Sequence, residues 1–120
     1  LKGVCIEKNN ISNLMKVKKE LKRLNPELEI VSSWDDNFEI MKKGSSKGEA
    51  VAQLAKYFNL ERDEVMCIGD SENDLSMIEY AGIGVAMGNA IDIVKQSAQY
   101  ITLPNTESGV AKAIEKFVLS

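Results

Sequence analysis

Six consecutive residues, Gly69-Asp70-Ser71-Glu72-Asn73-Asp74, bring three carboxylates, an amide and a hydroxyl into one short stretch of chain. The preceding run Val65–Ile68 is wholly apolar, the pattern of a buried parallel strand. The following residues, Glu72–Ala81, read as a helix that Ser71 can cap and Gly82 stops. Ligands of open parallel sheets bind where a buried strand gives way to a helix, and this polar cluster falls there. Asp70 is the first residue past the strand, so its carboxylate projects from the sheet edge. Asp74 lies in the first helical turn and can point back at the same pocket. Oxygen donors without histidine or cysteine suit a hard cation, Mg2+ ahead of Zn2+. The plainer alternative is that Asp70 and Asp74 only cap the loop and complement the helix N-terminus.

Two further residues join this list. Lys47, in Gly44-Ser45-Ser46-Lys47-Gly48, opens a helix that leads into the strand ending at Asp70. A lysine there can meet a phosphate or a carboxylate at the same sheet edge, although taken alone it reads more readily as an ordinary solvated lysine. Asn89, in Met87-Gly88-Asn89-Ala90, sits in a strand-to-helix turn, and turn chemistry alone explains it. Trp34, Tyr57, Phe58 and Phe117 read as core. The chain has no histidine, which removes His triads, His metal sites and imidazole bases.

The elements that must place these residues fall into two sections. In the first, Gly3–Ile6 is a short strand. Ile11–Leu24 is a helix with Leu14, Val17, Leu21 and Leu24 on one face, started by Asn10 or Ser12 and ended at Asn25-Pro26. Leu28–Trp34 and Phe38–Met41 are strands joined through Asp35-Asp36-Asn37. In the second, Ser46-Lys47-Gly48-Glu49 has the capping-box pattern, and residues 47–58 form a helix. Strands Val65–Ile68, Ile83–Met87 and Gln99–Leu103 then alternate with helices 72–81, Ala90–Ser97 and Thr106–Leu119. That order implies an α/β layer around a parallel sheet.

The composition agrees with an ordinary globular chain. Of 120 residues, 44% are hydrophobic and 28% charged, which argues against disorder and low complexity. No 18-residue apolar stretch exists, so no membrane partner is expected. Net charge is −3 and the isoelectric point is near 5.0, so no nucleic-acid partner is expected either. Cys5 and Cys67 both sit in apolar runs without a secretory signal, which points to the cytoplasm. Residues 1–43 carry 9 basic against 7 acidic side chains, and residues 44–120 carry 6 against 11. A boundary near Lys43-Gly44-Ser45-Ser46 follows from that shift and from the Gly/Ser cluster. The chain begins with Leu1, as a fragment of a longer protein would.

Taken together, Lys47 in Gly-Ser-Ser-Lys-Gly, the Gly69-Asp-Ser-Glu-Asn-Asp74-Leu-Ser-Met77 stretch and Ala81-Gly-Ile-Gly-Val-Ala-Met-Gly-Asn-Ala90 resemble the haloacid dehalogenase-like (HAD) superfamily. The likeness is to Cof-type phosphatases with a type IIB cap, and it runs through residues 38–120. It implies a Rossmann-like parallel-sheet core whose C-terminal part is residues 44–120, preceded at 1–43 by an α+β partial cap. It also implies removal of phosphate from a small phosphorylated metabolite, a sugar phosphate first, with Mg2+ as cofactor. Asp70 matches the family's Mg2+ ligand, and Asp74 the second acid, supporting the metal directly or through water. Lys47 matches the lysine that neutralises the phosphoryl group and the nucleophile. Asn73 matches a contact to phosphate or substrate, and Asn89 a frequent loop residue.

One departure from the family is large. The Asp-x-Asp nucleophile motif is absent, and Asp35-Asp36 lies in a turn with no buried strand before it. The nucleophile of the aspartyl-phosphate intermediate is therefore expected outside these residues, and the chain alone is expected to be inactive. An unpaired edge on strand 65–68 would also favour self-association. Two rival readings are the phosphorylation domain of a P-type ATPase and a non-catalytic acidic cation-binding module.

Overall fold

The computed structural model describes residues 1–120. They form two compact units, Leu1–Ser46 and Lys47–Ser120. The division falls three residues beyond the boundary expected after Lys43.

The first unit contains β1 (Lys2–Ile6), α1 (Ile11–Leu24), β2 (Leu28–Val31) and β3 (Asn37–Lys42). Its strands form an antiparallel sheet in the order β1-β3-β2. The carboxamide of Asn10 starts α1 by accepting the Asn13 N–H at 3.0 Å. At the other end the Asn25 N–H still reaches Leu21 at 3.0 Å, and Pro26 stops propagation. Leu14 from α1 packs with Ile30 and Phe38 from the sheet, all three buried. Lys18 is buried too, and its ammonium donates to Ser32 Oγ at 2.9 Å. The expected strand 28–34 ends early, at Val31. Asn37 Oδ1 accepts the hydroxyl and backbone N–H of Ser33, which ties residues 33–37 into a loop. Trp34 rides on that loop and is 76% exposed, so it is not core.

The second unit runs α2 (Lys47–Tyr57), β4 (Met66–Gly69), α3 (Leu75–Tyr80), β5 (Ile83–Ala86), α4 (Asp92–Ser97), β6 (Tyr100–Ile101) and α5 (Gly109–Phe117). Short 3-10 turns at Arg62–Glu64, Glu72–Asp74 and Asn105–Glu107 complete it. The sheet is parallel, in the order β4-β5-β6. Ile78, Ala86, Met87, Ala90 and Val94 form its buried centre, with Ile68, Leu75 and Ala98 packed against them. These residues bring α3 and α4 onto the sheet, so the site's helix rests on a close-packed base.

Several boundaries differ from the periodicity reading for local reasons. The expected helix 72–81 is split, because the Glu72–Asp74 turn winds as 3-10 before α3 begins. The expected helix start at Ala90 moves to Asp92, since the Ile91 N–H is taken by the Asp70 carbonyl at 3.0 Å. Tyr57 and Phe58 are exposed and pack edge-to-face on each other, with ring centroids 5.2 Å apart. Phe117 is half-buried against Tyr100. Cys67 is buried, Cys5 is only half-buried, and both thiols are free.

β4 is an edge strand of this sheet. The carbonyls of Val65 and Gly69 accept the N–H groups of Ile83 and Met87 on the β5 side. By the alternation of a parallel ladder, the backbone groups of Met66 and Ile68 face the open side. No helix of the chain is long and apolar enough to cross a membrane.

Candidate active site

The carboxyl end of β4 is built around one buried carboxylate. Asp74 is 5% exposed. Its Oδ2 accepts the backbone N–H groups of Asp70 at 2.9 Å and Ser71 at 3.2 Å. Its own N–H donates to the Ser71 carbonyl at 2.9 Å, which closes the turn. The loop therefore wraps onto Asp74, and Gly69 is the residue that allows it. A Cβ at position 69 would stand 2.4 Å from Asp74 Cβ, well inside contact distance.

Lys47 supplies the counter-charge. Its Nζ lies 2.5 Å from Asp74 Oδ1, and half of its side chain remains exposed. Burial pushes the Asp74 carboxyl up, but the Lys47 ammonium and the two loop N–H groups outweigh it. The carboxyl ends below the ordinary aspartate value, so it is charged at neutral pH.

Asp70 stands differently. Its Oδ1 accepts the Ser71 hydroxyl at 3.1 Å, and the Asn89 amide nitrogen is 3.4 Å from its Oδ2. Asn89 is held in turn, since its Oδ1 accepts the Asn105 N–H at 2.9 Å. Three loops thus meet around Asp70: residues 70–74, 87–91 and 103–105. Asn73 is half-buried in the same turn, and no hydrogen bond ties its amide to the others. Four of the five candidate residues, Lys47, Asp70, Asp74 and Asn89, are linked by one chain of contacts. Of three supporting residues, Asn105 lies outside every motif of the sequence, whereas Gly48 and Ser76 lie inside the Lys47 and Gly69–Met77 stretches without a role assigned there. The Gly48 N–H donates to Ser76 Oγ at 2.9 Å, a contact that only the docking of α2 on α3 creates.

The donor chemistry can be weighed against a hard cation. No group of three acidic, His or Cys side chains converges here. Both oxygens of Asp74 are already engaged, whereas those of Asp70 carry only neutral donors at 3.1 and 3.4 Å. A Mg2+ ion fits Asp70 as a direct carboxylate ligand, with its remaining positions open to water or other oxygens.

The model of the haloacid dehalogenase-like hydrolases matches residues 3–114. The chain belongs to that family. Among HAD relatives, it is 48% identical over 117 residues to 5-amino-6-(5-phospho-D-ribitylamino)uracil phosphatase YcsE of Bacillus subtilis (strain 168). That match covers 98% of this chain and 46% of the relative. Phosphatase YwpJ of the same organism is 49% identical over 85 residues, 71% of this chain and 30% of the relative. A solved HAD-like hydrolase from B. subtilis superposes with a TM-score of 0.87 at 38% identity, over 98% of this chain and 40% of its own. The HAD subclass IIB sugar phosphatase BT4131 superposes at 0.83 with 34% identity, over 89% and 41%. The chain thus spans less than half the length of the HAD proteins it matches. The expected fold, an α/β chain with a parallel sheet of the HAD type, is the one observed.

The lowered Asp74 carboxyl fixes the sign of a pH effect. A group held below its ordinary value stabilises the fold above that value, and the contribution is lost as pH falls through the folded one. Asp74→Asn and Lys47→Met should each cost about 1–3 kcal/mol at pH 7. The Asp74→Asn deficit should begin to shrink as pH falls below the ordinary aspartate value, where the unfolded carboxyl takes up a proton before the folded one does. Urea titrations at pH 7 and pH 3 measure both. A deficit that grows on acidification would contradict a charged, Lys47-paired Asp74.

Proposed function

We propose that these 120 residues carry the electrostatic half of a Mg2+-dependent phosphatase site acting on a small phosphorylated metabolite, a phosphorylated sugar first. The observation that carries this reading is the Lys47–Asp74 pair at the carboxyl end of β4, with Asp70 beside it. On this reading residues 1–43 are the last part of a cap and residues 44–120 the C-terminal part of the core. The substrate class is supported by two similar proteins, one a 5-amino-6-(5-phospho-D-ribitylamino)uracil phosphatase and one a sugar phosphatase.

Each residue then has a distinct task. Lys47 is half-exposed with one ammonium hydrogen on Asp74, so two remain to meet phosphoryl oxygens. Asp74 orients that ammonium. Asp70 holds the metal, and Asn89 with Ser71 sets the direction of its carboxylate. When bound, Mg2+ supplies charge to offset that on the phosphoryl oxygens. Asn73 offers its amide to phosphate or to the remainder of the substrate.

The covalent half is supplied by another segment. An aspartate carboxylate attacks phosphorus, the P–O ester bond breaks, and a second acid protonates the departing oxygen. Water then hydrolyses the aspartyl-phosphate. No Asp-x-Asp occurs in these 120 residues. The open edge of β4 is a pairing surface, and we infer that the chain alone uses it to self-associate.

Two outcomes test this reading. Asp70→Asn in a protein that contains the nucleophile should lower kcat by about 100-fold or more, the scale of a lost electrostatic contact. Turnover within twofold of wild type would return Asp70 to a capping role. In sedimentation equilibrium the 120-residue chain should run as a dimer or larger at high concentration. A clean monomer would show that the β4 edge is covered from within.

A further inference from the structure

Lys47 has a flexible four-carbon stem, and a lysine half in solvent loses several rotors when its head is fixed. A contact at the head alone leaves the root of the stem free to shift with its helix. In this structure both ends are held, and by neighbouring residues of one short segment. The head is held by Asp74, 2.5 Å from Nζ. The root is held one residue on, where the Gly48 N–H donates to Ser76 Oγ at 2.9 Å. Gly48 is buried in the first turn of α2, where backbone N–H groups have no partner within their own helix. Ser76 belongs to α3, so one helix caps another through its side chain.

The approach is as close as the backbones allow. A Cβ on residue 48 would stand 2.6 Å from the Ser76 carbonyl oxygen and 2.9 Å from Ser76 Cβ. Only glycine at 48 permits this distance. The serine hydroxyl is also the right size to reach the N–H without spreading the helices.

We propose that Ser76 is a positioning residue for Lys47: its hydroxyl locks the first turn of α2 onto α3, so that the ammonium arrives preset on Asp74. The proposal rests on the reading above for the purpose of that placement, but the clamp itself is a property of these residues alone. Ser76 touches neither Asp70 nor the ammonium, and acts only through the backbone of residue 48.

NMR of the 120-residue chain tests the clamp without any turnover, so its outcome is independent of whether the chain serves a phosphatase. Two readouts are needed: hydrogen exchange at the Gly48 amide, and the through-hydrogen-bond coupling between Lys47 Nζ and the Asp74 carboxylate. Ser76→Ala should speed Gly48 exchange at least tenfold and abolish the coupling. Ser76→Thr, which keeps the hydroxyl, should restore both. Ser76→Cys, near in size and a weak acceptor, should behave like Ser76→Ala, and it carries the test if the alanine variant fails to fold. Loss of Tm with the Lys47–Asp74 coupling intact would overturn the proposal, since that is the signature of a merely structural serine.

Discussion

A carboxylate with 5% of its surface exposed survives as an anion only if its lost hydration is replaced. Asp74 has three replacements, two loop N–H groups and one ammonium, and much of the local design follows from supplying them. The loop after β4 must turn tightly enough to aim the N–H groups of residues 70 and 71 at one oxygen. That requires the absence of a side chain at Gly69. The ammonium must come from α2, which requires α2 to lie against α3, and that in turn requires the absence of a side chain at Gly48. Two glycines far apart in sequence thus answer to one buried charge. Removing Lys47 leaves the buried Asp74 charge without its counter-charge, which costs more than the pair itself contributes.

The same constraint separates the two acids. Asp74 uses both oxygens internally, and Asp70, four residues earlier, is left with neutral donors and a view past the strand end. A pair of acids that looks symmetrical in the sequence is therefore divided in labour. One holds a lysine, and the other is available to a cation. Asn89 and Asn105 extend the arrangement sideways, so the direction of the Asp70 carboxylate depends on a loop more than thirty residues away.

Much of this is legible in the amino-acid sequence alone. The apolar run before Asp70, the helix after Lys47 and the strand-to-helix turn at Asn89 placed four of the five candidate residues at one sheet edge. The α/β layering followed from the alternation of short apolar runs with helical periods. Tertiary geometry hid the rest. Ser76 lies inside the Gly69–Met77 stretch without a role assigned there, and its partner at residue 48 appears only when two helices dock. The 3-10 turn at Glu72–Asp74 replaced the first turn of a predicted helix because Asp74 is pulled back onto the loop amides. Trp34, Tyr57 and Phe58 read as core on chemical type alone, yet a short loop and a helix end leave them exposed. Hydrophobicity names what can be buried, and packing decides what is.

The central claim is that the Lys47 ammonium is held in advance where phosphoryl oxygens will sit, with Asp70 facing the cation beside it. The most direct measurement is a crystal structure of a protein that contains the nucleophile, soaked with Mg2+ and tungstate as a phosphoryl mimic. The account predicts tungstate oxygen within hydrogen-bond distance of Lys47 Nζ, the Lys47–Asp74 contact retained, and the metal on an Asp70 oxygen. A tungstate bound away from Lys47, or a metal held by Asp74 with Asp70 left free, would contradict it.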